Sequence, residues 1–156
     1  MRMRLISVGG RMPDWVDAAW SDYVKRLPRE FRLELVELPL AQRGKNADIA
    51  RAKQNESDRV LKAVPEGARI VALDERGEHW TSIELAEQFK RWQADGREVC
   101  LLVGGPDGHA PEVLQKAQQK WSLSRLTLPH ALVRVLLAEQ LYRATTLLAG
   151  HPYHRA

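Results

Sequence analysis

The residues best suited to bind a ligand lie in one short stretch, Val99–His109. Five apolar residues run without a break into a turn that carries Gly104, Gly105 and Gly108. An unbroken apolar run is typical of a strand covered on both faces, as in a parallel sheet. Glycine lets the backbone turn sharply and present N–H and C=O groups, and open α/β sheets bind ligands beyond the carboxyl ends of strands. The stretch therefore predicts a ligand site, although a plain tight turn explains the same pattern.

Two familiar phosphate-binding motifs and a metal site are not indicated. The glycine spacing is not G-x-G-x-x-G, and no Gly-Lys-Ser/Thr follows as in a P-loop. The five histidines, at positions 79, 109, 130, 151 and 154, lack the spacing of metal ligands. The single cysteine, Cys100, has no cysteine partner and lies inside the apolar run. We therefore expect no bound metal and a core position for Cys100.

Composition limits the class of protein. The 156 residues suffice for one domain with a hydrophobic core, and 44% apolar with 28% charged residues is typical of a globular protein. The apolar runs are too short to cross a bilayer, and the first, Leu5–Val8, is too short for a secretory signal, so a cytoplasmic location and no membrane partner are expected. The net charge of +4 is compatible with a phosphate-rich partner but does not require one.

Strands and helices alternate along the chain, which predicts an α/β fold: a single domain over residues 1–156 with a largely parallel sheet flanked by helices. The strand at Phe31–Leu38 alternates apolar and polar residues and is expected at an edge of the sheet. The other predicted strands are Arg2–Val8, Ala68–Asp74 followed by a turn at Glu75–Gly77, Val99–Val103, and a short one near Trp121. Five helices are predicted. They run from Pro13 to Pro28, from the possible cap Asn46 to about Val64, from Thr81 or Ser82 through Trp92, from about Pro111 to Lys120, and from about Ala131 to Leu148.

The apolar stripes of the helices predict which faces are buried. The stripe of the first helix includes Trp15, and that of the third includes Ile83. The second helix is mostly polar, so it is expected to be a solvent-exposed surface helix, with Glu56 in solvent. Alternatively, the start of this helix and the basic loop Gln42–Asn46 contact phosphate. Asn46 is a possible N-cap of the helix. The last helix is apolar on two faces, and a second copy could cover the excess.

Four motifs carry a resemblance to a known family. They read LLVGGPDGH, LSRLTLPH, VRVLLAEQLYRA and HPYHR, and they follow one another between residues 101 and 155. With the early Gly9-Gly10 and the Arg-Gly-Lys-Asn loop, they resemble the SPOUT methyltransferases along the whole chain. The resemblance implies S-adenosylmethionine (SAM) as cofactor, a trefoil knot on the C-terminal side, and a homodimer with each site near the subunit interface. It also implies methylation of N3 of a pseudouridine in 23S rRNA, within the assembled ribosome.

The resemblance further implies which residues hold the cofactor. They follow the ends of successive strands, where a switch-point site belongs. Adenine needs apolar walls and backbone hydrogen bonds, which leucines and glycines can supply. The side chain of Arg125 either points away from the pocket or contacts rRNA. The implied residues are Leu73, Gly104, Gly105, Gly108, Leu123, Ser124, Arg125, Leu126, Thr127 and Leu128.

Residues near the end of the chain are implied in the chemistry on pseudouridine. Its N3–H is a weak acid, so a base must take the proton or a cation must stabilise the anion. We expect His154 to accept or orient the proton, and Arg143 or Arg155 to stabilise the anion. Tyr153 offers an aromatic face to a base, and Glu139 a carboxylate. Without the resemblance, Glu139 and Arg143 would be an ordinary i, i+4 ion pair and the tail would be frayed.

Two other functions stay open at this point. The first is a non-catalytic assembly factor that binds rRNA and keeps a vestigial cofactor pocket. The second is a SPOUT methyltransferase that acts on tRNA. The sequence shows no appended RNA-binding domain, which fits a substrate presented by a large particle.

Overall fold

The computed structural model describes residues 1–44 and 48–155, and within them strands and helices alternate. The strands are β1 (Arg2–Val8), β2 (Arg32–Leu38), β3 (Arg69–His79), β4 (Val99–Val103) and β5 (Gln119–Ser122). The helices are α1 (Asp14–Arg26), α2 (Ile49–Ala63), α3 (Ser82–Asp95), α4 (Pro111–Lys116) and α5 (His130–Ala149), and a 3₁₀ turn follows at Pro152–His154. The predicted α/β class is confirmed.

The five strands form one parallel sheet in the order β2-β1-β4-β3-β5. All residues of the central β4 are buried, which explains its unbroken apolar run. β2 lies at an edge, as its alternation predicts. Because the strands are parallel, their carboxyl ends meet at one side of the sheet. The segments that leave β4, β3 and β5 are therefore neighbours there.

The helices build a hydrophobic core on each face of the sheet. On one face α1, α3 and α5 pack around side chains such as Phe89 and Leu141. On the other face α2 and α4 contribute Val60 and Val113. Cys100 lies in this second core and is fully buried, which confirms its predicted position.

The strand β3 is longer than the sequence predicts. The turn expected at Glu75–Gly77 is wrong, because β3 continues to His79 with a register shift against β5. Gly77 approaches β5 so closely that a Cβ atom there would lie 2.6 Å from the carbonyl carbon of Lys120. The segment thus stays extended beside its neighbour.

The helix predicted from Pro111 to Lys120 is too long. α4 ends at Lys116, and the chain then enters β5 because Gln118 pairs with β3. The backbone N–H of Gln118 donates to the carbonyl of Ile70 at 3.0 Å, and its side-chain oxygen accepts from the N–H of Ile70 at 2.6 Å. These bonds direct the segment into the sheet.

Three predictions of burial are wrong. Trp15 and Ile83 are 53% and 64% exposed, because each lies at the solvent edge of its helical stripe. Glu56, expected in solvent, is 1% exposed and points towards Gly105 in the turn after β4. The possible cap Asn46 lies outside the described residues. The N-cap of α2 is Asp48, whose side chain accepts a hydrogen bond in the first turn.

Candidate cofactor and active site

The turn after β4, which we call the glycine turn (residues 104–108), folds tightly on itself. The N–H of Gly108 donates to the carbonyl of Gly105 at 3.0 Å, and Gly108 has a φ of +77°. A Cβ atom on Gly104 would lie 2.8 Å from the carbonyl carbon of Gly108, so no side chain fits there. The turn therefore leaves backbone, without side chains, where a ligand could approach at the carboxyl edge of the sheet.

An ion pair between the buried Glu56 and the half-buried Arg43 supports this turn. The carboxylate of Glu56 accepts from both terminal nitrogens of Arg43, at 2.6 and 2.7 Å, and from the N–H of Ala41 at 3.0 Å. Arg43 also donates from Nε to the Asp107 carboxylate at 3.0 Å. A Cβ atom on Gly105 would lie 2.6 Å from Oε1 of Glu56. We call Arg43 and Glu56 the clamp.

The clamp is charged on both sides at neutral pH. Burial acts to raise the pKa of Glu56, but the hydrogen bonds from Arg43 and Ala41 outweigh it, and the pKa lies below its ordinary value. The hydrogen bond to Glu56 raises the pKa of Arg43. Because the guanidinium is held by two carboxylates, the alternative in which this loop contacts phosphate is not supported for Arg43.

Two further buried side chains hold the chain that leaves the turn. The hydroxyl of Ser57 accepts from the N–H of Ala110 at 2.9 Å. Nε2 of His109 lies 3.0 Å from the carbonyl oxygen of Leu102. Burial lowers the pKa of His109, so its imidazole is neutral at pH 7. α2 and β4 thus both anchor the segment that leaves the glycine turn.

The loop 123–128 leaves β5 at the same edge of the sheet as the glycine turn, with β3 between the two strands. The hydroxyl of Ser124 accepts from the N–H of Leu126 at 2.9 Å, and its carbonyl accepts from the hydroxyl of Ser122 at 3.1 Å. Arg125, Leu126 and Thr127 are exposed, and Leu126 is 76% exposed. The half-buried members of the loop are Leu123, Ser124 and Leu128. The side chain of Leu126, expected as a pocket wall, has no cover in a single copy of the chain.

Topology brings the predicted cofactor residues to one edge of the sheet. Leu73 is half-buried in β3 and pairs with Trp121 of β5, and β3 also neighbours β4. The glycine turn and the loop 123–128 follow the carboxyl ends of β4 and β5, and Leu73 lies inside β3, the strand between them; the prediction that Leu73 is at a strand end is wrong, because β3 continues to His79. The carboxyl edge is the place where α/β sheets bind ligands.

A cavity of about 300 Å³ opens on the α3 and α5 side of this edge. Of the predicted residues, only Leu123 lines it. Two tryptophan rings, Trp80 and Trp121, stack nearby with centroids 5.1 Å apart. The polar residues that line this cavity are not predicted from the sequence. The one indication in the sequence is that Gln140 directly follows Glu139, a predicted site residue. The lining residues are Trp80, Thr81, Ser82, Leu85, Trp121, Leu123, Leu136 and Gln140.

The predicted catalytic residues of α5 and the tail form a hydrogen-bonded network. Glu139 accepts from Nε and Nη2 of Arg143, at 2.9 and 2.6 Å, and from the hydroxyl of Tyr153 at 3.1 Å. Gln140 donates to the other oxygen of Glu139 at 2.6 Å. The Tyr153 ring packs edge-on against Tyr142, with centroids 4.6 Å apart. The pair Glu139–Arg143 is thus an i, i+4 ion pair, and the tail is packed on it.

Protonation in this network follows from its contacts. Burial and the nearby charge of Glu139 raise the pKa of Tyr153, so its phenol stays protonated at neutral pH and donates. The hydrogen bond to Glu139 raises the pKa of Arg143. His154 is half-buried, and its Nδ1 is buried without a hydrogen-bond partner among residues 1–44 and 48–155. Arg155 is exposed.

The cofactor residues and the tail form separate groups. None of the hydrogen bonds or ion pairs within the described parts of the chain joins the tail to the glycine turn. The nearest shared feature is the cavity, which Leu123 and Gln140 both line.

The described residues hold no group of three or more His, Cys, Asp or Glu side chains arranged to bind a metal. Across that same part of the chain, every helix is too short or too polar to traverse a bilayer.

Known proteins are similar to the chain over nearly its whole length. A family model described as "Predicted SPOUT methyltransferase" matches residues 1–154. A Pseudomonas putida (strain W619) protein named Ribosomal RNA large subunit methyltransferase H is 57% identical over 155 residues, which cover 99% of this chain and 100% of that protein. A protein of the same name from Pseudomonas aeruginosa (strain LESB58) is 56% identical, with the same coverage.

A solved structure is similar in fold. It is described as the structure of a probable methylase family protein from Haemophilus influenzae Rd KW20, with a TM-score of 0.54 and 15% identity. The match covers 99% of this chain and 70% of that one. At this identity the likeness concerns the fold alone.

Proposed function

The chain belongs to the SPOUT methyltransferase family, and from this premise we propose that it transfers a methyl group from SAM to RNA of the large ribosomal subunit. The observation that carries the proposal is the 57% identity to a Ribosomal RNA large subunit methyltransferase H, which extends over the whole of that protein. From the resemblance in the motifs we further propose N3 of a pseudouridine in 23S rRNA as the target, within assembled ribosomes in the cytoplasm.

The residues present fit a methyl donor such as SAM. Nothing lies within 4 Å of the Cβ position of Gly108, so the backbone of the glycine turn is open to a ligand there. We propose that Leu73, the glycine turn and the loop 123–128 hold the cofactor, with leucines against the adenine. When bound, SAM supplies an electrophilic methyl group on a sulfonium.

The residues of the tail supply the remaining chemistry in this proposal. His154 accepts or orients the N3 proton, and its unpartnered Nδ1 supports this role. Arg143 is charged and stabilises the developing anion, while Glu139 fixes its orientation at 2.6 Å. Tyr153 acts as a donor and an aromatic face rather than as a base, because its pKa is raised. The exposed Arg155 is free to contact an RNA phosphate.

A homodimer would complete the site. Leu126, Leu132 and Leu136 are 76%, 43% and 37% exposed, and all three belong to α5 or the loop before it. A second copy would cover them and bring a second tail towards the cofactor loop. We also propose that residues 1–156 form one domain, and the C-terminal trefoil knot stays a prediction.

Transfer of labelled methyl from SAM tests the proposed activity. Assembled ribosomes, deproteinised rRNA and tRNA serve as parallel substrates. Label in 23S rRNA only from ribosomes is the expected result. Label in tRNA would overturn the substrate, and bound SAM without transfer to any of the three would favour a non-catalytic rRNA-binding factor.

The role of His154 has its own test. His154→Ala should lower the turnover number strongly on ribosomes. His151→Ala is the matched control, because it removes another imidazole from the same tail, where Nδ1 only accepts the N–H of Tyr153 at 3.1 Å. Wild-type turnover of His154→Ala would contradict its assignment as proton acceptor.

A further inference from the structure

The clamp beneath the glycine turn has a part in the reaction that neither the motifs nor the relatives' names assign. We propose that Arg43 and Glu56 are positioning residues, which hold the glycine turn in the conformation that binds the methyl donor. This inference rests on the proposed function, because it takes the turn to be part of the cofactor site.

The burial of a carboxylate at this place needs an explanation. Glu56 is 1% exposed on a helix whose buried partners include Ala52 and Val60. A carboxylate removed from water is costly unless it is paired and hydrogen-bonded. Here Arg43 binds both oxygens and Ala41 donates a third bond, so the charge is fully compensated. An apolar residue would fill the same space at lower cost, so the carboxylate serves another purpose than filling space.

The carboxylate lies where a side chain of Gly105 would be. The distance of 2.6 Å from Oε1 to the Cβ position leaves no space between Glu56 and the backbone of the turn. Movement of Glu56 by a few tenths of an ångström would therefore change the support under Gly105. Both oxygens are fixed by Arg43, so this movement is opposed by two charge-assisted hydrogen bonds.

Arg43 extends the support to the apex of the turn. Its Nε donates to Asp107 at 3.0 Å while its terminal nitrogens hold Glu56. Its Nη1 also donates to the Ala41 carbonyl at 3.2 Å, which ties the guanidinium to the loop after β2. One planar group thus fixes the base and the apex of the turn together, which lysine with its single nitrogen cannot do.

These contacts predict an effect on cofactor binding rather than on stability alone. A ligand that binds backbone groups gains affinity when they are held in place before it arrives. Loss of the clamp should therefore weaken SAM binding while the affinity for ribosomes and the rate at saturating SAM stay nearly unchanged.

Three variants test the inference. Glu56→Gln keeps the shape of the side chain and removes its charge. Arg43→Lys keeps the charge next to Glu56 and removes the bridge to Asp107, so it is the variant most secure in folding. Asp95→Asn is the control, because Asp95 also bonds two arginines, Arg69 and Arg97, but lies at the other end of the sheet.

The measurements are SAM affinity by calorimetry, steady-state kinetics with SAM and ribosomes varied separately, and amide hydrogen exchange over residues 104–110. We expect the dissociation constant and the KM for SAM to rise by roughly 10- to 100-fold in Glu56→Gln and by about 5- to 20-fold in Arg43→Lys. The exchange in the turn should be faster in both variants without SAM. The KM for ribosomes and kcat should stay within about twofold, and Asp95→Asn should match the wild type.

The outcomes separate this inference from the proposed function. Folded Arg43→Lys with wild-type SAM affinity would overturn the inference, and so would a fall in kcat at unchanged SAM affinity. Wild-type protein that binds no SAM would overturn the inference together with the proposed function. Wild-type protein that binds SAM, with faster exchange and weaker binding confined to the two clamp variants, supports both.

Discussion

A methyl group added at Gly104 should damage the glycine turn more than its size suggests. The Cβ of Gly104→Ala would lie 2.8 Å from the carbonyl carbon and 2.9 Å from the carbonyl oxygen of Gly108, and both atoms belong to the backbone. Backbone cannot rotate away as a side chain can, so the turn must open. Overpacking of this kind costs about 1–3 kcal/mol. At this chain length we expect the melting temperature to fall by about 3–9 °C and SAM affinity by at least about tenfold.

Gly96→Ala is the control for this prediction. Gly96 has a φ of +77° at the end of α3, with nothing within 4 Å of its Cβ position. The strain of a left-handed alanine costs about 1–2 kcal/mol, so the melting temperature should fall by about 3–6 °C. SAM affinity, measured by calorimetry below both melting temperatures, should stay at the wild-type value. Equal SAM affinities for Gly104→Ala and the wild type would refute the assignment of the turn to the cofactor site.

Three further predictions concern the dimer, the tail and pH. Leu136→Glu places a charge on the exposed apolar face of α5, so the dimer dissociation constant measured by sedimentation should rise at least about tenfold. The control Ile49→Glu, on α2, should leave this constant unchanged. An unchanged constant in Leu136→Glu would contradict the proposed interface. Tyr153→Phe removes the 3.1 Å hydrogen bond to Glu139, so the free energy of unfolding in urea should fall by about 1 kcal/mol. The single-turnover rate should fall as well, and an unchanged rate would exclude the phenol from the site. The folded-state pKa of Glu56 is lowered, so its ionised form contributes stability above the ordinary carboxyl pKa, and this stability is lost as pH falls through the folded pKa. In urea unfolding, the excess free energy of unfolding of the wild type over Glu56→Gln should therefore shrink from pH 7 to 3.5. A constant excess would contradict the pairing with Arg43.

Much of the fold follows from local pattern in the sequence. β4 is predicted correctly because a strand buried on both faces needs an unbroken apolar run, and the edge position of β2 follows from its alternation. β5 is predicted only as a short strand near Trp121 without bounds, since its residues Gln119–Ser122 show no such pattern. It forms because Gln118 pairs with Ile70 of β3, a contact 48 residues apart that no local rule encodes.

The position of Glu56 shows why the candidate site could be predicted only in part. In a polar helix a glutamate is expected in solvent, and only its tertiary partners overturn that expectation. Arg43 is 13 residues away in the chain, and Gly105 lies in a turn after a different strand. By contrast, the glycine turn itself is a local feature, and the sequence predicts it correctly. The predicted burial of Trp15 and Ile83 is wrong for a related reason. An apolar stripe shows which side of a helix faces the sheet, but not how many residues of that side the sheet covers.

The two groups of site residues differ in how far the chain satisfies its own polar atoms. In the clamp, both oxygens of Glu56 are bonded by partners within the chain. In the tail, Nδ1 of His154 is buried without a partner among the described residues, and Arg155 is exposed. A satisfied network is built before any ligand arrives, whereas unfilled hydrogen-bonding capacity gains partners only on binding. In the proposed homodimer the cofactor site should therefore be complete without RNA, and SAM affinity should not depend on ribosomes. The tail residues should affect the reaction only once the RNA is bound, because the RNA or a second copy must supply what His154 and Arg155 lack.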